Sequence, residues 1–212
     1  MKMKIAIIGS GNVGKALASS ARRAGHDVTM TSRHKEKAAN AAKEVDARPV
    51  DSNADAVKNA DLVILAVPAT AMDEVVADLD KQLDGKVVVD VSNRVDPQNP
   101  AKVLDGTSMA ERIQSMVPRA HVVKAFNTAF ASRQADPHIE GMAVDAYVAG
   151  DDEQAKKKVL DLASSMGFRP IDAGPLAMAR VLEGMALLNI MLQIRNKWPW
   201  QHGWKLVGEP AA

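Results

Sequence analysis

Three glycines near the amino terminus have the G-x-G-x-x-G spacing of a phosphate-binding turn. Gly9, Gly11 and Gly14 follow an apolar run and open a stretch of helical periodicity. In that context one glycine allows the tight turn, one lets the backbone approach a pyrophosphate, and one lets the helix pack closely on the strand. The helix N–H groups attract the anion, and the Ser10 and Asn12 side chains can donate to it. This context favours a nucleotide-binding turn over a purely structural one.

A second candidate site follows the next predicted strand. About 20 residues beyond such a turn, an NAD-binding chain usually presents an acid to the ribose 2′-hydroxyl, but here the residues are Thr31, Ser32 and Arg33. A hydroxyl and a guanidinium hold a 2′-phosphate by charge-assisted hydrogen bonds, whereas an acid would repel it. Asp27 lies at the wrong end of the strand to be the missing acid. The sequence therefore predicts NADP as the cofactor.

Three more basic residues follow Arg33. Lys37 lies four residues later and would share its helical face if the helix begins near His34, which would bring a second charge to the 2′-phosphate. For His34, Lys35 and Lys37, the solvated start of a helix is an equal alternative.

Residues just beyond the carboxyl ends of the central strands are further candidates, because ligands of an open parallel sheet bind at that edge. Val67 and Pro68 follow one strand and would pack beside a nicotinamide. Asn93 and Asn127 follow two other strands and could hold an amide or ribose oxygen. A polar turn is the alternative for either asparagine.

No side chain stands out as a proton donor for a carbonyl-reducing reaction. The candidates, which share no recognisable constellation, are Lys124, Tyr147, His121, His138 and His202. The sequence has no H-E-x-x-H, no carboxylate cluster with metal spacing and no G-x-S-x-G, so we predict neither a catalytic side chain nor a metal. Hydride exchange between two cofactor rings fits this result, since it depends on positioning more than on a side-chain acid.

The composition narrows the class of partner. The 212 residues carry 27 Lys and Arg against 26 Asp and Glu, a formal charge of +1, so no overall field recruits nucleic acid or an anionic membrane. The absence of cysteine excludes disulfides and thiolate chemistry and fits a reducing compartment, so we expect the cytoplasm.

The start of the chain predicts a strand rather than a signal peptide. Polar residues interrupt the apolar stretch 175–194, which predicts a buried or interfacial helix and not a membrane span.

Apolar runs of strand length alternate with helical periodicity, which is typical of βαβ units and a parallel sheet covered on both faces. The predicted strands are 4–8, 27–31, 62–67, 86–91 and 121–126, with a short one within 47–51. The predicted helices are 13–24, 34–45, 52–59, 69–83 and 108–117. Gly25 and Gly85 follow helices, where a left-handed residue is favoured. The predicted fold class is therefore α/β, a Rossmann-type doubly wound, mainly parallel sheet.

The sequence changes in character after Phe126. A long polar connection leads to a strand within 143–150, a charged helix from Asp151, a strand at 169–173 and an apolar helix after Pro175. No repeat or low-complexity linker separates the two parts. We predict one compact domain over 1–212, with an NADP-binding core at 1–126 and a small α/β extension at 127–212.

All three tryptophans, Trp198, Trp200 and Trp204, fall in the stretch WPWQHGW. One interpretation is an anchor that docks the tail on its own core or on a second subunit, because tryptophan is favoured at interfaces. The other is a shelf for a flat ring. The sequence leaves both open.

Taken together, the motifs resemble the NADP-dependent reductases of the deazaflavin coenzyme F420. The similar segments, which follow the family's order over most of the chain, are IAIIGSGNVGKALA, TSRHKEKA, DLVILAVP, VKAFNT, AGDDEQAKKKV and GFRPIDAGPLAMARVLE. The most distinctive of them is DAGPL followed by Arg180 and Glu183. The resemblance implies a Rossmann-type fold, a homodimer, and direct hydride transfer between the nicotinamide and a deazaflavin.

The resemblance also implies roles for individual residues. Ser10, Asn12 and Val13 match the family's phosphate turn, and Ser32, Arg33 and Lys37 match its 2′-phosphate pocket. Val67 and Pro68 match the loop beside the nicotinamide. Gly174, Pro175 and Leu176 match a segment that helps to close the substrate cleft. The chain departs from the family in the polar segment 90–113 and in the tryptophan-rich tail, so coenzyme F420 and a flavin both stay open as acceptor.

Three functions are consistent with these observations. The first is hydride transfer from NADPH to a deazaflavin or flavin. The second is an NADPH-dependent imine or carbonyl reductase, although such enzymes need a long helical second domain and fewer than 40 residues follow Gly174. The third is a non-catalytic NADPH-sensing module whose tail binds a partner.

Overall fold

A central sheet organises the protein. The computed structural model describes residues 2–96, 98–99 and 106–208. The strands of the main sheet are β1 (Lys4–Ile8), β2 (Asp27–Thr31), β3 (Arg48–Pro49), β4 (Leu62–Leu65), β5 (Val87–Asp90), β6 (His121–Lys124), β9 (Asp145–Gly150) and β10 (Arg169–Gly174). A separate hairpin consists of β7 (His138–Ile139) and β8 (Met142–Ala143).

Helices cover both faces of this sheet. They are α1 (Asn12–Arg23), α2 (Lys35–Glu44), α3 (Asn53–Val57), α4 (Met72–Leu79), α5 (Met109–Met116), α6 (Ala131–Ala135), α7 (Glu153–Ser165) and α8 (Ala179–Asn196). Short 3₁₀ turns lie at Ala69–Ala71, Asp80–Leu83 and Leu176–Met178.

The strand order is β10-β9-β6-β5-β4-β1-β2-β3. All neighbours in the sheet are parallel except β6 and β9, where Val123 lies opposite Gly150 in antiparallel pairing. The order reverses between β1 and β4, which pair with Ile7 opposite Ile64. A ligand site is expected beyond the carboxyl ends of the strands at this reversal. The predicted Rossmann-type, mainly parallel fold is confirmed.

The apolar runs of β4 and β5 are buried on both faces because helices lie above and below them. One core cluster joins the sheet to α1, α2 and α7, for example through Leu17 and Val159. The other joins it to α3, α4 and α5, for example through Val76 and Ile113. Truncating a fully buried strand residue such as Ile64 to alanine should cost about 2–5 kcal/mol of stability.

Most predicted boundaries agree with the structure within two or three residues. Gly25 and Gly85 have φ of 87° and 68°, as predicted for residues that follow a helix. The helix predicted at 69–83 is wrong as a single element: it is a 3₁₀ turn, then α4, then a second 3₁₀ turn. Asp80, with φ of 31°, interrupts it because a residue with positive φ cannot continue a right-handed helix.

The polar connection predicted after Phe126 contains α6 and the β7–β8 hairpin. Helix α8 is the apolar helix predicted after Pro175. Residues Leu176–Asn196 are long and apolar enough to cross a membrane by length and composition, a test that core helices of globular proteins also pass. Leu182 and Leu187 of this helix are buried in the protein interior, whereas Val181 and Leu188 are about half exposed.

Candidate functional site

The three glycines of the turn differ in what surrounds them. A Cβ atom on Gly9, whose φ is 122°, would lie 2.2 Å from the Ala66 carbonyl oxygen. A Cβ on Gly14 would lie 2.1 Å from the carbonyl oxygen of Gly9. Gly11 has no heavy atom within 4 Å of such a Cβ among the described residues. Two glycines are therefore required by packing, while the third leaves open space at the start of α1.

The amino terminus of α1 is available to an anion. Gly11 is its N-cap residue and provides no side-chain hydrogen bond, and the first turn contains no acidic residue. The first N–H groups of a helix lack partners within the helix and carry the positive end of its dipole. Asn12 is exposed at this end and Ser10 is half-buried beside it. The turn thus has the geometry of a phosphate site.

The carboxyl end of β2 lies against this turn. The Gly9 N–H donates to the Thr31 carbonyl at 2.8 Å. The Ser10 hydroxyl donates to the Ser32 hydroxyl at 2.9 Å, although 22 residues separate the two in sequence. Arg33 follows, exposed, and within the described residues no carboxylate pairs with it. Asp27 is at the opposite end of the strand, where it pairs with Lys2.

Helix α2 begins one residue later than the predicted start at residue 34. His34 is its N-cap and Lys35 its first residue, so Arg33 is not part of the helix. The prediction that Lys37 shares a helical face with Arg33 is therefore wrong, because the i,i+4 relation applies only within a helix. Lys37 is exposed on the first turn of α2. Lys35 lies 3.6 Å from the Asp51 carboxylate, which makes it an ion-pair partner on the surface.

A cavity of about 110 Å³ lies at the carboxyl edge of the sheet, near the turn. Asn93 and Asn127 meet there: the Asn127 Nδ2 donates to the Asn93 Oδ1, and the Asn93 Nδ2 donates to the Asn127 carbonyl, each at 2.9 Å. Asn127 also donates to the Leu182 carbonyl of α8 at 3.0 Å. Its own Oδ1 is buried without a protein partner in the described part of the chain. An orphaned amide oxygen at a cavity is a place for a ligand donor.

The remaining walls of this cavity are uncharged. The lining residues are Val13, Val91, Asn93, Asn127, Thr128, Ala129, Phe130, Ala131, Gln134, Ala186 and Ile190. The predicted residues Val67 and Pro68 are not among them. They follow β4, and Val67 lies next to Gly9, with its nitrogen 3.3 Å from the Cβ position of that glycine.

A buried ionic network joins β5, β6 and α8. The Lys124 ammonium donates to the Asp90 carboxylate at 2.8 Å, to the Ser92 carbonyl at 2.6 Å and to the Glu183 carboxylate at 3.0 Å. The other Glu183 oxygen accepts from Arg94 Nε at 2.8 Å. The two cations of the network, Lys124 and Arg94, balance its two carboxylates, Asp90 and Glu183. Buried charges are tolerated when they are paired in this way.

This network contains Lys124, one of the candidate proton donors. It also contains charged residues that the sequence analysis did not identify as partners of Lys124. Lys124 is fully buried and does not line the cavity, so it does not face a substrate. Asp90 and Arg94 were not predicted as functional or structural partners, and Glu183 was noted only as part of a motif. The one signal in the sequence was a charged residue at the end of an otherwise apolar strand.

The other candidate donors are also placed away from the cavity. The Tyr147 hydroxyl donates to Asp145 at 3.3 Å, and burial together with this carboxylate raises the pKa of the tyrosine. His121 lies 3.2 Å from the Asp152 carboxylate. His138 belongs to the β7–β8 hairpin, and His202 contacts Gln193 at 3.0 Å. None of the five lines the cavity described above.

The segment before α8 supports the fold. Gly174 ends β10 with φ of 91°, and the Leu176 side chain is buried in the second core cluster. Arg180 forms a forked salt bridge with Glu111 of α5. The Arg180 guanidinium holds the pKa of Glu111 at about 2, with further help from the Ser108 N–H and hydroxyl. These contacts fix α8 onto α5.

A larger groove, of about 470 Å³, lies at the opposite edge of the sheet, among the amino-terminal ends of β1 and β2. Its polar residues carry both signs of charge, including Arg22, Arg48, Asp27 and Asp55. Ligands of open parallel sheets bind at the carboxyl edge, where strand ends and helix amino termini converge. We therefore place the candidate site in the smaller cavity.

Val13 belongs both to helix α1 and to the wall of that cavity, so one dinucleotide can reach from the glycine turn into the cavity. This arrangement places the protein in the class of Rossmann-type, dinucleotide-dependent oxidoreductases. Residues 4–94 match the family described as NADP oxidoreductase coenzyme F420-dependent. The F420-dependent NADP reductase of Methanocaldococcus jannaschii is 34% identical over 213 residues, which cover 92% of this chain and 94% of that protein. The chain belongs to the family of F420-dependent NADP reductases and is an NADP-dependent oxidoreductase.

Two further relatives show the range of the likeness. A crystal structure from Arthrobacter sp. FB24, solved as a candidate F420-dependent NADP reductase, has a TM-score of 0.85 at 28% identity and covers 97% of this chain and 100% of that one. Metalloreductase STEAP3 of Rattus norvegicus is 34% identical over 185 residues, which are 87% of this chain but 36% of that longer protein. Sequences similar to this chain therefore occur both as whole proteins and as one part of a longer protein.

Proposed function

We propose that this protein transfers a hydride between NADP(H) and a planar acceptor, coenzyme F420 or a flavin. One observation carries the choice of cofactor. At the carboxyl end of β2, where an NAD-binding protein presents an acid, the chain presents Ser32 and an Arg33 that no described carboxylate neutralises. A 2′-phosphate placed there would accept charge-assisted hydrogen bonds.

The residues of the site divide the work of binding. The open Gly11 and the free N–H groups of α1 would hold the pyrophosphate, with Ser10 and Asn12 as side-chain donors. Ser32, Arg33 and Lys37 would hold the 2′-phosphate. The buried Asn127 Oδ1, which has no partner among the described residues, would accept a hydrogen bond from the nicotinamide carboxamide, and the Asn93 side chain would hold the asparagine in that orientation. Val67 and Pro68 would border the ring from the β4 side.

When bound, NADPH supplies a hydride from C4 of its nicotinamide; the acceptor takes this hydride and a proton from water. The chain's contribution is positioning and the exclusion of water. Val13, Val91 and Ile190 provide apolar walls, and no titratable side chain lines the cavity within the described residues. Transfer between two rings needs neither an acid nor a base from the protein at the reacting carbon.

The same cavity argues against the imine or carbonyl reductase. Such a reaction forms an amine or alcohol and needs a proton donor within hydrogen-bond reach of the developing charge. The candidates Lys124, Tyr147 and the three histidines are all elsewhere. A non-catalytic NADPH-sensing module shares the same cofactor site, so turnover separates it from an enzyme.

The decisive experiment measures cofactor binding and acceptor use together. We expect calorimetry to give tighter binding of NADPH than of NADH, and steady-state assays to show NADPH oxidation with coenzyme F420 or FMN. Turnover with small imines or ketones, and none with the ring acceptors, would favour the reductase instead. Tight NADPH binding without any acceptor activity would favour the sensing module.

We also propose a homodimer of single-domain subunits, acting in the cytoplasm without a nucleic-acid or membrane partner. Helix α8 carries an apolar stripe, Val181, Met185, Leu188 and Leu192, at i, i+4, i+7 and i+11, and Val181 and Leu188 are more than half exposed. This stripe faces away from Ala186 and Ile190, which line the cavity. Light scattering of the wild type and of Leu188→Glu tests it, since a charge in an apolar interface should give monomers.

A further inference from the structure

The carboxyl-terminal tail is fixed onto the extension strands by one buried carboxylate. Asp145 of β9 is fully buried and accepts two hydrogen bonds from Arg169, at 2.6 and 2.7 Å. It accepts a third from the Leu206 N–H of the tail at 2.6 Å, and the Asp145 N–H donates to the Trp204 carbonyl at 3.1 Å. A buried carboxylate with this many donors makes a firm attachment. The tail therefore docks on the protein's own core.

This attachment brings Trp200 beside the candidate site. Its ring packs on Phe130 with centroids 5.2 Å apart and planes at 70°, and its carbonyl accepts a hydrogen bond from the Ser132 hydroxyl at 2.8 Å. Phe130 and Ala131 both line the cavity that would receive the nicotinamide. Trp200 as a whole residue remains 46% exposed. An edge-to-face aromatic pair thus stands at the rim of the cavity with one part open to solvent.

Trp198 provides a contrast within the same tail. Its ring stacks on His202 at 4.5 Å, and His202 in turn contacts Gln193 at 3.0 Å. Its exposed fraction, 40%, is close to that of Trp200. Neither Trp198 nor His202 lines the cavity. The two tryptophans therefore differ chiefly in whether they contact its wall.

The size of the cavity decides where an acceptor can lie. A cavity of about 150 Å³ binds a single benzene ring, so one of about 110 Å³ is too small to enclose a tricyclic acceptor. A tricyclic acceptor must then bind at the mouth of the cavity, in contact with the side chains at its rim. Phe130 and Trp200 are aromatic, uncharged and held in place, and aromatic rings attract other rings beyond their buried area.

Building on the function proposed above, we propose that Phe130 and Trp200 form the aromatic wall of a second-ring site, which takes a planar tricyclic hydride acceptor of the flavin or deazaflavin type. Phe130 contacts the acceptor. Trp200 positions Phe130 and extends the wall toward solvent. The tryptophan-rich tail is thus a part of the substrate site.

Intrinsic fluorescence tests this placement without turnover. Two single-tryptophan proteins are compared: Trp198→Phe/Trp204→Phe, which keeps Trp200, and Trp200→Phe/Trp204→Phe, which keeps Trp198. Each is saturated with NADP⁺ and titrated with FMN or oxidised coenzyme F420. We expect strong, saturable quenching of Trp200 and much weaker quenching of Trp198. Equal quenching of the two, or none of Trp200, would overturn the inference.

Kinetics provide the second measurement. We expect Trp200→Ala to raise the KM for the acceptor about three- to tenfold, from the loss of one aromatic pair, while the KM for NADPH stays unchanged. Trp200→Phe should restore most of the loss, and Trp198→Ala should have no effect on either KM. A parallel rise in both KM values, or a loss of dimer with an unchanged acceptor KM, would show a role in stability or assembly and would refute the proposal.

Different results would refute the aromatic wall and the proposed cofactor. A wild type that oxidises NADPH with FMN or F420 but shows no effect at Trp200 refutes only the aromatic wall. Quenching of Trp200 by the acceptor in a protein that prefers NADH refutes only the proposed cofactor.

Discussion

Lys124 and Glu183 are 59 residues apart in sequence, yet their side chains form a salt bridge of 3.0 Å with both groups shielded from solvent. Lys124 ends a strand of the sheet and Glu183 lies on the first turns of α8. Glu183 also accepts from the Met109 N–H at 2.8 Å, at the start of α5. One carboxylate on α8 therefore contacts both the sheet and the start of α5.

Breaking this pair should be costly. We expect Lys124→Met to lower the free energy of unfolding by about 3–5 kcal/mol, because it leaves the buried carboxylates of Asp90 and Glu183 without their shared cation. Urea unfolding followed by circular dichroism measures it. Lys157→Met is the matched control, since its salt bridge with Asp161 is exposed and should contribute about 0–1 kcal/mol. Similar losses in the two variants would contradict the role given to the network.

Arg33 should discriminate between the two cofactors. We expect Arg33→Ala to weaken NADPH binding by about 1.5–3 kcal/mol and to leave NADH binding nearly unchanged, because only NADPH carries the phosphate. Calorimetric Kd values for both cofactors measure the difference. Lys35→Ala serves as control, since Lys35 already lies 3.6 Å from Asp51. An equal loss for NADPH and NADH would remove Arg33 from the 2′-phosphate pocket.

Alanine substitutions at two glycines of the turn should have different effects, one on stability and the other on NADPH binding. Gly14→Ala places a Cβ 2.1 Å from the Gly9 carbonyl oxygen, so we expect a strongly destabilised protein. Gly11→Ala meets open space and has a compatible φ of −74°, so its unfolding free energy should change by about 1 kcal/mol or less. Its NADPH affinity should nevertheless fall, because the methyl group occupies the path of the pyrophosphate. Unchanged affinity in Gly11→Ala would exclude the turn as the phosphate site.

His26 should make stability depend on pH. Its Nδ1 accepts from the Met3 N–H at 3.1 Å and its Nε2 lies 2.9 Å from the Ser165 hydroxyl, an arrangement that requires a neutral ring. Burial, with a contribution from the positive amino terminus, lowers the pKa of His26 below 6.5. The unfolded chain then binds more protons than the folded one, so this contribution is complete above pH 6.5 and is lost as pH falls below it.

We expect the urea midpoint of the wild type to decrease between about pH 7.5 and pH 5.5, and to decrease less in His26→Asn, whose amide oxygen can still accept from Met3. His34→Asn controls for an exposed histidine. The same pH dependence in His26→Asn as in the wild type would show that another group is responsible.

Local patterns were enough to predict most elements of this fold. Apolar runs bounded by glycines identified the parallel strands, because burial on both faces leaves a continuous apolar run. Even the two-residue strand Arg48–Pro49 fell within a predicted segment. The glycine turn and the Ser32–Arg33 pair were visible because their residues are neighbours in the chain. The exact start of α2 was not, since helix ends depend on capping contacts that propensity does not specify.

The sequence by itself determined a Rossmann-type protein with a glycine-rich turn after β1 and a basic end to β2, because each of these features depends on residues a few positions apart. Only the tertiary structure decided which distant groups meet: Ser10 with Ser32, Asn93 with Asn127, Lys124 with Glu183, and Trp200 with Phe130. Such partners depend on strand order and on how α8 and the tail return to the sheet. Periodicity records which face of an element is buried, but it carries no information about the element that buries it.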